Sequence, residues 1–98
     1  MKPCKRIEIV IEATLTRRIV EVLADAEAPG YTLLDTASGQ GNRGQRRADD
    51  PTGALTNTVF IIACDDQQVV DRVLEAVRPV LSRFGGMCLV SDAMWLRH

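Results

Sequence analysis

Near the start of the chain, apolar and polar residues alternate. In residues 6–12, RIEIVIE, Ile7, Ile9 and Ile11 share one face, which predicts a half-buried strand. The alternation then gives way to helical spacing, and residues 28–30, APG, end the predicted helix. YTLLDTA, residues 31–37, predicts a second strand. The apolar side of the amphipathic helix consists of Leu15, Ile19, Val22, Leu23 and Ala26.

The second half of the chain repeats the order of strand, helix and strand. TVFIIAC, residues 58–64, is a continuous β-branched and aromatic run, which predicts a strand covered on both faces. Asp65 or Asp66 can cap the helix that follows. That helix should contain a kink at Pro79 and end at the glycines 85–86. Its apolar positions are Val69, Val70, Val73, Leu74, Val77, Leu81 and Phe84.

Residues 87–96 predict a last strand, with a bend expected at Ser91 and Asp92. The order is therefore β-α-β-loop-β-α-β. It predicts an α+β, ferredoxin-like fold: an antiparallel four-stranded sheet with two helices on one face. We expect residues 1–98 to form a single domain. Because the strand at 58–64 lacks a polar face, we expect copies of the chain to cover the other face of the sheet.

Residues 38–57 show no periodicity and predict a long loop. Gly39, Gly41 and Gly44 match G-x-G-x-x-G, but no apolar helix begins at the third glycine and no G-K-[ST] follows. Neither a Rossmann site nor a Walker site is therefore expected. Two interpretations stay open: a solvated, mobile loop, or a loop that an anion orders through backbone N–H groups and arginine side chains. The candidate anion ligands are Arg43, Gln45, Arg46 and Arg47.

Composition and charge make several classes of protein function improbable. The net charge of −1 argues against a nucleic-acid-binding protein. Cys4, Cys64 and Cys88 have no metal-ligand spacing, and buried free thiols in a reducing compartment are expected. The first residues contain no long apolar run, so we expect no signal peptide, no membrane insertion and a cytoplasmic location. The sequence contains one histidine and no recognisable pair of a nucleophile and a base, so we do not expect an enzyme. We do not expect a metal site either.

Taken in order, KRIEIVIE, GYTLLDT, FIIACDD and GGMCLVSD resemble the strands of the PII signalling family over nearly the whole chain. Residues 38–57 stand where that family has its flexible T-loop. Two features depart from the family. The loop before the last strand is shortened to SRFGGM, and Met87 stands where the family has a phosphate-binding lysine. The chain is thus similar to the short PII-like branch associated with carboxysomes and bicarbonate transporters.

The resemblance implies a homotrimeric regulatory protein that binds adenine nucleotides in clefts between subunits. Without the lysine, ADP or AMP is favoured over ATP, and bicarbonate is a possible co-effector that would help to order the T-loop. A bicarbonate transporter or a carbon-fixation protein is the implied partner. The nucleotide-binding positions implied by the resemblance are Thr32, Ser38, Gly39, Gly41, Arg43, Gly44, Ile62, Gly86, Met87 and Arg97.

Two rival families share this architecture. The first is the trimeric CutA metal-tolerance proteins, but they require metal ligands, and His98 is the only histidine here. The second is the small phosphate hydrolases of the acylphosphatase type. They require an arginine in a tight loop after the first strand, and EATLTRR, residues 12–18, does not provide that loop.

Overall fold

The structure, a computed structural model, describes residues 1–37, 39–41, 44–46 and 56–96, with side chains at 1–35 and 56–96. Within these ranges the chain forms six strands, two α-helices and one 3₁₀ turn, Ala13–Leu15. The helices are α1, Thr16–Asp25, and α2, Gln67–Phe84. The strands are β1 (Lys2–Glu12), β2 (Tyr31–Ala37), β3 (Gly39–Gly41), β4 (Gly44–Arg46), β5 (Asn57–Cys64) and β6 (Met87–Trp95).

Four strands form the main sheet, in the order β2-β5-β1-β6, and all neighbours are antiparallel. Strands β5 and β6 flank β1, and β2 lies on the far edge. This order confirms the predicted ferredoxin-like α+β fold.

The isoleucines of β1 face the helices, as the alternation predicted. Ile7, Ile9 and Ile11 are buried, and Phe60 and Ile62 lie beside them on β5. The helices contribute buried residues at their predicted apolar positions, so sheet and helices share one core. From α1 and α2 these are Ile19, Leu23, Val70, Val73 and Val77; Val80, outside the predicted apolar positions, is buried as well.

Strand β1 begins at Lys2, before the predicted residue 6. Residues 2–4 pair with β6 alone, because the pairing of β1 with β5 begins only at Lys5. Pro3 therefore occupies a position with one neighbouring strand, where a missing N–H removes no hydrogen bond on the open side. The pairing with β6, rather than any alternation in MKPCK, extends the strand.

The second helix begins as predicted, since the Asp66 side chain accepts a hydrogen bond of 2.9 Å from the backbone N–H of Gln68. Helix α2 then runs without a break through Pro79 to Phe84. The expected bend in the last strand is wrong. Ser91 and Asp92 pair with Arg6 and Lys5 in unbroken register, so β1 holds β6 straight at this point.

The prediction that residues 38–57 form a loop without strands is wrong in part. Gly39–Gly41 and Gly44–Arg46 form an antiparallel hairpin, in which Gly39 pairs with Arg46 and Gly41 with Gly44. Asn57 already belongs to β5. Glycines carry no side chains that alternate between faces, so the pattern that reveals a strand is missing. Residues 38, 42–43 and 47–55 of the expected T-loop lie outside the described residues.

Candidate functional site

The predicted nucleotide-binding residues fall at two ends of the main sheet. Strands β1 and β2 run in one direction and β5 and β6 in the other, so the end of β2 and the starts of β5 and β6 share one end. We call this the loop end; it contains Gly86, Met87 and the β3–β4 hairpin. Thr32 lies toward the opposite end, about 16 Å along the strand from Ala37.

At the loop end, Gly86 joins α2 to β6. Its backbone φ is +120°, a region that favours glycine. A Cβ atom at this position would also meet the carbonyl oxygen of Val10. Met87, the first residue of β6, is exposed. Packing alone therefore requires Gly86, whether or not its backbone contacts a ligand.

At the opposite end, Thr32 is exposed on β2 and pairs with Ile61 of β5. Ile62 pairs with Tyr31, and its side chain is fully buried in the core. Only the backbone of Ile62 can therefore meet a ligand in this chain. A cavity of about 210 Å³ also lies at this end, and it is lined by Glu27, Pro29, Ala63, Cys64, Asp65, Asp66, Val69 and Trp95.

The face of the sheet away from the helices, here called the open face, has an apolar surface. Its residues include Leu34, Met87 and Leu89, whose exposed fractions are 51%, 45% and 50%. Across the strands, Leu34 pairs with Val59 and Val59 with Val10. Large apolar side chains left in water on one contiguous face are typical of an interaction surface.

One ion pair interrupts the apolar surface. Arg6 Nη2 lies 2.6 Å from Glu8 Oε1, and both residues belong to β1 near the middle of the open face. Because β1 is a central strand, a molecule that covers the sheet also covers this pair. Burying an unpaired charge is strongly destabilising, whereas a paired charge can be tolerated. The Arg6–Glu8 contact is therefore compatible with a covered face.

A chain of polar contacts lies beneath the loop end. Thr58 Oγ1 donates a hydrogen bond of 3.2 Å to Asp35 Oδ1 and lies 2.7 Å from Thr16 Oγ1. The backbone N–H of Ala13 donates to the carbonyl of Thr56 over 3.0 Å. Sequence reasoning missed Thr16 and Thr58. The available signal was a threonine that continues the buried face of an otherwise apolar strand.

The predicted anion ligands are described only in part. Gln45 and Arg46 pair through their backbones with Gln40 and Gly39 in the hairpin. Ser38, Arg43, Arg47 and Arg97 lie outside the described residues, so the anion site stays a prediction. In the part of the chain that the structure describes, no three His, Cys, Asp or Glu side chains converge as metal ligands. No helix within the same ranges is long and apolar enough to cross a membrane.

The family model described as Nitrogen regulatory protein P-II matches residues 4–98. The chain belongs to the P-II family.

Solved structures of PII-like proteins share the fold over nearly their whole length. The chain matches CPII from Thiomonas intermedia K12, a nitrogen regulatory PII-like protein bound to ADP, AMP and bicarbonate. The TM-score is 0.81 at 25% identity, with 98% of this chain and 96% of that chain covered. CPII bound to ADP and bicarbonate matches with the same TM-score of 0.81 and 25% identity, over 97% and 90% of the two chains. A PII-like signalling protein from Thermus thermophilus shares the fold, with a TM-score of 0.77 at 23% identity over 97% and 91%.

Proposed function

We propose that this chain is a homotrimeric P-II regulator that binds ADP or AMP between subunits, with bicarbonate as co-effector. The observation that carries this proposal is the full-length likeness to CPII, whose structures hold ADP, AMP and bicarbonate. The binding role itself, and not the fold alone, is transferred from CPII. As in other members of the family, the expected output is regulation rather than catalysis.

The separation of the predicted residues supports a site between subunits. Gly86 and Met87 lie at the start of β6, one edge of the main sheet, whereas Thr32 lies on β2, the other edge. Within one chain, Thr32 and Met87 are separated by the width of the sheet, about 14 Å, and by two residues along the strands. Two copies packed side by side can bring the β6 edge of one to the β2 edge of the next. The apolar open face supplies a surface for that packing.

The preference for ADP or AMP over ATP follows from the start of β6. Met87 occupies the position of the family's phosphate-binding lysine, and a thioether carries no charge for a third phosphate. The turn before it is also short, since α2 ends at Phe84 and β6 begins at Met87. Fewer backbone N–H groups are then available to a polyphosphate.

We further propose that the chain acts in the cytoplasm, where it would link inorganic carbon to a bicarbonate transporter or a carbon-fixation protein. Bicarbonate in the CPII structures supports the carbon link. The free thiols of Cys4, Cys64 and Cys88 support a reducing compartment.

Calorimetry tests the proposal directly. Purified protein is titrated with ADP, AMP and ATP, each with and without bicarbonate. We expect ADP and AMP to bind more tightly than ATP and bicarbonate to tighten ADP binding. ADP must then tighten bicarbonate binding by the same factor, because coupling between two sites is reciprocal. No heat of binding with any of the three nucleotides would contradict the proposed function.

A pair of arginine variants tests the anion site. If Arg46 bonds a phosphate or a carbonate oxygen, Arg46→Ala should weaken ADP binding by roughly ten- to a hundredfold, because a charge-assisted bond is lost. The matched control is Arg17→Ala, which removes the same charge from an exposed position on α1. Equal affinities for the two variants would remove Arg46 from the site.

A further inference from the structure

Strand β2 changes register just before it enters the hairpin. Leu34 pairs with Val59, and the next pair is Ala37 with Asn57, so Asp35 and Thr36 together stand opposite Thr58. Two residues that face one form a β-bulge, which bends a strand and redirects the chain beyond it. Strand β2 ends at Ala37, and strand β3 begins at Gly39. The bulge therefore sets the direction in which the chain leaves the sheet toward the β3–β4 hairpin.

The side chain of Thr58 bridges this bulge. Its hydroxyl carries one proton, which it donates to Asp35 Oδ1, so Thr16 must be the donor in the 2.7 Å contact between the two threonines. The hydrogen bonds thus run in one direction, from Thr16 to Thr58 to Asp35. They connect the start of α1 to the bulge through a residue with 0% exposure. No water can replace a hydroxyl enclosed in this way without a rearrangement.

The returning end of the loop is held at the same place. Thr56, which is 3% exposed, accepts a hydrogen bond of 3.0 Å from the N–H of Ala13 through its backbone carbonyl. Ala13 and Thr16 belong to one short segment, the turn into α1. The two ends of the loop, at Asp35 and at Thr56–Thr58, are therefore both fixed to that segment.

We propose that Thr58 is a positioning residue for the β3–β4 hairpin. Its hydroxyl fixes the bulge at Asp35 and so holds the β3–β4 hairpin in the direction that ligand binding requires. This inference rests on the proposed function for its effect on ADP. Its effect on the hairpin is independent of any ligand. Thr58 itself does not contact the ligand.

Two substitutions separate the hydroxyl from the shape of the side chain. Thr58→Val keeps the shape and removes the hydroxyl, whereas Thr58→Ser keeps the hydroxyl. Val77→Ala is the control for lost stability, because Val77 is buried in α2 and has no part in these hydrogen bonds. For each variant we would measure hydrogen exchange of the hairpin amides from milliseconds to minutes, together with ADP affinity by calorimetry.

In Thr58→Val we expect the hairpin amides to exchange about tenfold faster relative to the amides of Ile9 and Phe60, since one buried hydrogen bond corresponds to about this factor. ADP affinity should fall about five- to tenfold. Thr58→Ser should stay within about twofold of the wild type in both measurements. Val77→Ala should speed exchange throughout the chain without a selective effect on the hairpin.

The outcomes distinguish the two proposals. A Thr58→Val protein that behaves like Val77→Ala, with no selective change at the hairpin, overturns the positioning role even if ADP binds. A wild type that binds no nucleotide, combined with selective loosening of the hairpin, overturns the proposed function and leaves the positioning role standing. If Thr58→Val fails to fold, Asp35→Ala removes the acceptor at an exposed site, and the same selective loosening decides the question.

Discussion

Gly86 lies directly against the backbone of Val10. A Cβ atom at Gly86 would be 2.7 Å from the Val10 carbonyl oxygen, and the backbone φ of +120° is itself unfavourable for other residues. We therefore expect Gly86→Ala to lower the free energy of unfolding by about 2 kcal/mol. Gly30→Ala is the control, because a Cβ there meets no atom within 4 Å. Urea denaturation would measure both, and equal stabilities would show that the turn before β6 adapts.

An arginine of α2 holds the end of α1. Arg72 Nε donates a hydrogen bond of 3.1 Å to the carbonyl of Ala26, the residue that follows α1. Arg72→Met should lower the free energy of unfolding by about 1 kcal/mol. Arg78→Met removes an exposed ion pair with Glu75 in the same helix and should change it by less than about 0.5 kcal/mol. Thermal melts of the two variants provide the comparison, and a larger loss for Arg78→Met would contradict it.

The proposed trimer depends on the open face. Leu89 and Met94 are both exposed residues of β6, at 50% and 57%, but their side chains lie on opposite faces of the strand. A buried lysine in the interface is costly. We expect the wild type to be a trimer by light scattering at micromolar concentration and Leu89→Lys to be smaller. Met94→Lys should keep the wild-type mass. A monomeric wild type would contradict the assembly and the site between subunits.

Burial raises the pKa of the Cys88 thiol above its ordinary value. The folded state then holds the thiol proton more tightly than the unfolded chain does. Above the ordinary thiol pKa of about 8.5, the free energy of unfolding should therefore fall as pH rises. Below that pH, the protonated thiol makes its full contribution to the free energy of unfolding.

Two variants isolate the thiol. Cys88→Ala should remove the fall in the free energy of unfolding that the thiol causes. Urea denaturation at about pH 7 and about pH 9.5 would measure that fall. Cys88 and Val90 both line a groove between α2 and β6. Val90→Ala truncates a side chain there without removing the thiol, so its free energy of unfolding should fall with pH as in the wild type. An unchanged decline in Cys88→Ala would show that other groups cause it.

The main sheet and both helices could be predicted because each has an apolar face that repeats with its own period. The isoleucines of β1 and Val70, Val73 and Val77 of α2 are buried at the positions that the pattern predicts. The hairpin could not be predicted in this way, since Gly39, Gly41 and Gly44 have no side chains to bury. The straight course of β6 past Ser91 depends on its pairing with β1, which local sequence does not reveal.

Less of the candidate site could be predicted. The nucleotide-binding positions depend on a resemblance, and only the strand order shows that Thr32 and Met87 lie on opposite edges of the sheet. The contact between Asp35 and Thr58 joins residues that are distant in the chain, and it depends on a bulge. A bulge arises from the pairing of two strands, so no pattern within either strand indicates it.

The strand order also governs when the chain can fold during synthesis. Strand β1 is made before both of its partners, because β5 and β6 come from the second half of this sequence. Its three buried isoleucines therefore leave the ribosome with no neighbouring strand to pair with. Long-range pairings of this kind make folding slow and expose apolar segments to aggregation. The nascent chain must keep β1 protected until Asn57–Cys64 has been synthesised, and the sheet is complete only when Met87–Trp95 has emerged.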